Sequence, residues 1–240
     1  MILKNPLTEN IQDYPPFDGF TKEGLGFLKK LKKNNNRDWF NSHKQDFEVD
    51  VKLPMQSLIL ELKPLLHKFA ADFVVDPKRS LFRIYRDTRF SKNKAPYKTH
   101  IAAIFQPSKN WKDSAGLYLH IEPDEVYLGG GMYVPSSDDL KKIRNTIANH
   151  PNKFLSIIES EKFKSLFKTI EGEKLKRVPQ GFPPDDDMAE WLKMKQFFIS
   201  HTMKTEESYK KTFPSKVANI FEIMMPLVRF INEAIQKFSN

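Results

Sequence analysis

Eight of the 39 basic residues are arginine, and four of those eight, Arg79, Arg83, Arg86 and Arg89, fall within eleven positions. Arginine's planar, permanently charged fork grips carboxylates and phosphates in fixed geometry, so its concentration in one segment marks an anion site. The segment reads SLFRIYRDTRFSKNKAPYKTH over residues 80–100. Asp87 is the carboxylate at hand, and a pair between it and Arg83, Arg86 or Arg89 would tie the sheet to a helix without any ligand. One carboxylate does not neutralise Arg83, Arg86, Arg89, Lys92, Lys94 and Lys98, however. The excess of about five charges needs water, other acids such as Glu122, or an anionic partner. The candidate ligand-binding set is Arg83, Tyr85, Arg86, Asp87, Arg89, Lys94, Tyr97, Lys98, Tyr118 and His120. Within it Arg86 is expected to pair with Asp87 or another carboxylate inside the fold, and Arg89 to reach the ligand from the loop.

Other chemistries are less well supplied. The absence of cysteine excludes disulfides, thiolate nucleophiles and sulfur-based zinc sites. His100, His120 and Glu122 could converge on one face as a two-histidine, one-carboxylate set, but nothing in their spacing demands it, so no metal is assigned. No phosphate loop, dinucleotide fingerprint or nucleophile elbow occurs, and neither a catalytic residue nor a cofactor can be named. The run Asp185, Asp186, Asp187 reads as the cap of a helix carrying Trp191. Gly129, Gly130 and Gly131 mark either a close approach of ligand to a strand or a bulge, and the bulge is preferred.

The elements that must position these residues follow from periodicity. Hydrophobic residues at 40%, with 20 phenylalanines among the 240 residues, provide for a core. The expected organisation is an arm over 1–16 and one α+β domain over 17–240. Helical spacing is expected to begin after a cap at Thr21, to restart after Asn34–Asn36, and to run from Met55 toward Ala71 with a break at Pro64. Alternation then predicts an antiparallel sheet of at least four strands, at 80–86, 100–106, 116–122 and 125–133, the last two joined at Pro123 and Asp124. Phe82, Ile84, Ile101, Ala103, Phe105, Leu117, Leu119, Ile121, Val126 and Leu128 share its apolar face, on which N-terminal and C-terminal helices pack. Arg83, Tyr85, His100, Tyr118, His120, Glu122, Tyr127 and Tyr133 share the other, which is the expected binding floor. Helices are predicted at 136–149, from Pro151 to Gly172, over 188–200 and over 214–238.

A net charge of +9 and a pI near 9.4 favour anionic partners. A small phosphate-bearing or carboxylate-bearing ligand is the first expectation. A single-stranded nucleic acid, its bases stacked on Tyr85, Tyr118 and Tyr127, is the second. A motif that only ties elements together is the third. Neither a signal peptide nor an apolar run of membrane-spanning length is read in the sequence, so a cytoplasmic protein without membrane contact is expected.

FRIYRDTRFSKNKAPYKTHI, the earlier NNNRDWF and the later LYLHIEPDEVYLGGGMYVPSSDDLKKIR resemble the bacterial family known as domain of unknown function 2461. The resemblance spans about residues 17 to 235. It implies one domain over nearly the whole chain and brings no activity with it.

Overall fold

Asparagine and threonine side chains open the fold. The Thr21 hydroxyl accepts from the Gly24 amide at 3.0 Å and starts α1 (Lys22–Lys33); the Asn36 side chain accepts from Trp39 and starts α2 (Arg37–Ser42). The computed structural model describes residues 14–107 and 112–236, so residues 1–13 of the expected arm and 108–111 of the expected hairpin connection lie outside the described residues. After the short α3 (Lys44–Asp46) the backbone widens into a π-helix over Phe47–Lys52, in which the Leu53 amide donates to the Glu48 carbonyl five residues back. It continues into α4 (Leu53–His67), which runs unbroken through Pro64, against expectation. Proline so near the end of a helix forfeits one hydrogen bond, and the packed face of Leu58, Leu62 and Leu66 holds the last turn.

The four-stranded antiparallel sheet has strand order β1-β2-β3-β4, with β1 at Ile101–Phe105, β2 at Gly116–Ile121, β3 at Glu125–Met132 and β4 at Phe197–Lys204. Two of its strands differ from the sequence reading. Residues 80–86 are not a strand: α5 (Pro77–Ser80) precedes an extended segment that forms isolated bridges, Leu81 with Ala103 and Tyr85 with Tyr97, in place of a ladder. The segment leaves β1 after Phe82 donates to the Ala102 carbonyl, and then exchanges bonds with residues 96 and 98, where Pro96 has no amide to extend a ladder. The fourth strand lies instead at 197–204, beginning within the last residues of the helix expected over 188–200. Helix forms only at α9 (Ala189–Leu192). FFISHTMK then alternates, burying Phe197 and Ile199 on the helix side, and pairs with β3 along its full length.

Every remaining strand residue of the expected apolar face is buried, from Ile101 through Leu119 to Leu128. That face packs on α10 (Phe213–Gln236), where Val217, Phe221, Met224, Val228 and Ile231 keep helical spacing, and α10 in turn packs on α4. Between them α6 (Ser137–Asn149), α7 (Pro151–Ile158) and α8 (Glu161–Leu166) close the flank, α6 behind a Ser136–Asp139 capping box. Among the described residues no helix is long and apolar enough to cross a membrane.

Two asparagines tie helices to strand-like backbone. Asn232 of α10 accepts from the Ala115 amide at 2.8 Å and donates to its carbonyl at 3.1 Å. Asn35 does the same to Tyr97, at 3.0 Å in both directions.

The glycine run has a packing explanation rather than the expected bulge, because the ladder between β2, β3 and β4 is continuous through it. A Cβ on Gly130 would stand 2.8 Å from that of Met224, so its absence lets α10 close on the sheet. Gly131 has φ +133°, and a Cβ there would lie 2.2 Å from the Phe197 carbonyl oxygen.

Candidate functional site

The segment from Leu81 to Tyr85 separates two clefts, and the residues that the sequence placed on one floor are divided between them. Phe82 borders both. Its ring meets Tyr118 edge-on at 6.1 Å, so Phe82 belongs with the aromatic floor and not with the apolar set.

The first cleft, about 360 Å³, lies between the N-terminal helices and residues 77–85. The π-helical turn brings Phe47, Glu48 and Lys52 to its wall, an irregularity of the kind that recurs at functional sites. Lys44, Lys78 and Arg83 add three cations, and Glu48 is committed to Lys52 at 2.6 Å. Gln56 of α4 is buried beneath; its Nε2 donates to the Tyr14 hydroxyl at 3.4 Å, whereas its Oε1 is buried with no hydrogen-bond partner. Tyr85, 57% exposed, stands at the mouth.

The second cleft, about 480 Å³, lies over the sheet. Register explains its floor: Tyr118 opposes Gly129, and His120 opposes Tyr127, so the rings gather where the glycines leave space. His120 stacks between His100 at 4.8 Å and Tyr127 at 5.1 Å, and its Nδ1 lies 3.2 Å from the Tyr118 hydroxyl. Burial, and next the nearby Lys98, lower the His100 pKa to about 4; burial, and next His100, do the same to His120. Both imidazoles are therefore neutral at pH 7. Burial also raises the Tyr118 and Tyr127 pKa values, so this floor offers neutral donors and acceptors rather than charge.

Of the ten sequence-derived residues, Arg83 and Tyr85 line the cationic cleft, and Tyr118 and His120 the aromatic one. The other six line neither. Lys98 stands between, its Nζ donating to the Arg83 carbonyl at 2.9 Å and lying 5.0 Å above the Phe82 ring. Burial, and then the Arg83 charge, lower its pKa. Tyr97 is buried and stacked on Phe40 at 4.1 Å, which makes it a packing residue. Its phenol pKa is raised by that burial.

The expected pairing in the loop is reversed. Asp87 accepts two hydrogen bonds from Arg89, Nε at 3.0 Å and Nη2 at 2.7 Å, and a third from the Arg89 amide. These bonds hold its carboxyl at about 2. The turn brings residue i+2 beside the carboxylate, while Arg86 points the other way and donates to the Ala95 carbonyl at 3.2 Å. Lys94 donates to the Thr88 carbonyl. Much of the charge excess is thus met by backbone carbonyls.

Lys44, Lys52, Gln56 and Lys78 were missed by sequence reasoning. Lysines at helical spacing read as a solvated face, and the cavity is made by distant segments, residues 44–56 and 77–85, that sequence spacing does not bring together.

An α+β protein with this antiparallel sheet and two flanking clefts is the class that fold and geometry define. The chain belongs to the family of conserved hypothetical proteins DUF2461, whose sequence model matches residues 23–230. None of the curated proteins compared with it matches.

Proposed function

We propose that this protein binds a small molecule through a phosphate or carboxylate group held in the cationic cleft. The observation that carries the reading is the charge of that wall: Lys44, Lys52, Lys78 and Arg83 line the cavity, Glu48 is the one acid among the described residues there, and Glu48 already serves Lys52. Lys44, Lys78 and Arg83 have no ion pair among the described residues. Cations converging on a concave surface in excess of its carboxylates favour an anion, and Arg83 supplies the fork that grips two oxygens at once. The orphaned Gln56 Oε1 gives the ligand's remainder a buried acceptor to satisfy, at a depth where an unmade hydrogen bond is costly. The volume suits a metabolite rather than a bare ion.

Calorimetric titration with inorganic phosphate, citrate and adenosine monophosphate tests this. At least one should bind, with Arg83→Ala and Lys78→Ala each weakening it severalfold and Arg83→Lys failing to restore it. Absence of binding by all three, or equal affinity in Arg83→Ala, would overturn the proposal. A single-stranded oligonucleotide that binds far more tightly than any of them, with affinity falling steeply in salt, would transfer the site to nucleic acid.

A further inference from the structure

A second kind of chemistry adjoins the aromatic cleft at the β2–β3 turn, where His120 of its lining meets two glutamates outside it. His120 and Glu122 are two apart on extended backbone and face the same way. The turn at Pro123 and Asp124, closed by the Glu122 amide donating to the Glu125 carbonyl at 3.0 Å, folds Glu125 back beside them. One ring nitrogen of His120 and one carboxylate oxygen from each glutamate lie within 4.8 Å of one another, and all three residues are half-buried.

We infer that His120, Glu122 and Glu125 form a site for a divalent first-row transition cation, with Zn²⁺ as its probe. The donor set decides the class of ion: one imidazole and two carboxylates suit Zn²⁺, Mn²⁺ or Fe²⁺, whereas the imidazole is a poor ligand for Mg²⁺ or Ca²⁺. Two carboxylates at this separation repel each other, and a cation between them turns that repulsion into attraction. An independent observation concerns the histidine. His120 Nδ1 lies 3.2 Å from the Tyr118 hydroxyl, and in the tautomer that donates from Nδ1 to that oxygen, Nε2 keeps its lone pair for a cation. An outer hydrogen bond of this type orients metal-bound histidines in general. Stacking between His100 and Tyr127 holds the ring plane as well. Three protein ligands leave coordination positions open, and because His120 lines the cleft, those positions fall to water or to an oxygen of a molecule lying there.

This site shares no residue with the cationic cleft, and its test contains no anionic ligand, so either reading can fail alone. The metal-free full-length protein is titrated with Zn²⁺ by calorimetry at pH 7, and Co²⁺ is added separately to read the coordination from its absorption bands. One equivalent of Zn²⁺ should bind with micromolar or tighter affinity, and Co²⁺ should show bands of nitrogen and oxygen coordination. Glu122→Gln, Glu125→Gln and His120→Ala should each weaken binding at least tenfold, while His67→Ala, on the exposed end of α4, should not. The glutamine variants keep size and hydrogen bonding, so they carry the test if His120→Ala does not fold. Substoichiometric binding, or affinity unchanged in both glutamine variants, would overturn the inference.

Discussion

Replacing Gly131 by alanine should destabilise the protein far more than its chemistry suggests. The new Cβ would sit 2.2 Å from the Phe197 carbonyl oxygen and 2.6 Å from the Phe198 Cα, and both are backbone atoms of β4 that no rotamer change can move. Relief requires the strands to part by about an ångström, which sacrifices roughly two ladder hydrogen bonds at about 1 kcal/mol each. Holding alanine at φ +133° costs roughly another 1–2 kcal/mol. The sum, about 3–4 kcal/mol, should lower the melting temperature by roughly 6–16 °C for a chain of this size. Gly181→Ala is the control, since Gly181 also has positive φ, +98°, but a Cβ there meets nothing within 4 Å. It should lose only the conformational part, about 1–2 kcal/mol. Differential scanning calorimetry of the two variants separates strain from collision. Equal shifts in both would refute the claim that close approach of β4 is what Gly131 serves.

Leu119→Ala, at the fully buried centre of β2, should cost about 2–5 kcal/mol in urea denaturation, and a loss under about 1 kcal/mol would mean that the core against α10 closes over the cavity. Arg86→Ala should remove about 1 kcal/mol with the bond to the Ala95 carbonyl, whereas Arg89→Ala, which frees only the exposed Asp87, should leave the melting temperature unchanged; the opposite ranking would restore Arg86 as the partner of Asp87. Asp72, whose pKa the Arg229 hydrogen bonds lower, contributes stability that is present above the ordinary carboxylate pKa and lost as pH falls through the lowered one. Asp72→Asn should therefore flatten the acid limb of a stability profile, and an unchanged profile would show that the pair is inert.

The hairpin from 116 to 132 was legible because its apolar residues alternate without interruption and Pro123-Asp124 marks its turn. The fourth strand was not, since Trp191, Leu192, Phe197 and Phe198 also fit helical spacing and only pairing with β3 decides the matter. Residues 81–86 are extended as read, but a ladder depends on what lies alongside, and Pro96 lies alongside. Composition found the arginine-rich segment. It did not find the partner of each charge, because Asp87–Arg89 is a turn contact between near neighbours and Arg86 and Lys98 spend their donors on carbonyls, which no sequence pattern displays. Placing Arg83 with Tyr118 assumed an unbroken strand. Once that strand ends, the two sides of the segment face different cavities.

The two asparagine clamps each fix a distance between segments far apart in the chain, 117 residues for Asn232 and Ala115 and 62 for Asn35 and Tyr97. Ala115 is held on both of its backbone groups by Asn232, so the register of β2 is set from α10 and does not have to be transmitted through the connection after β1.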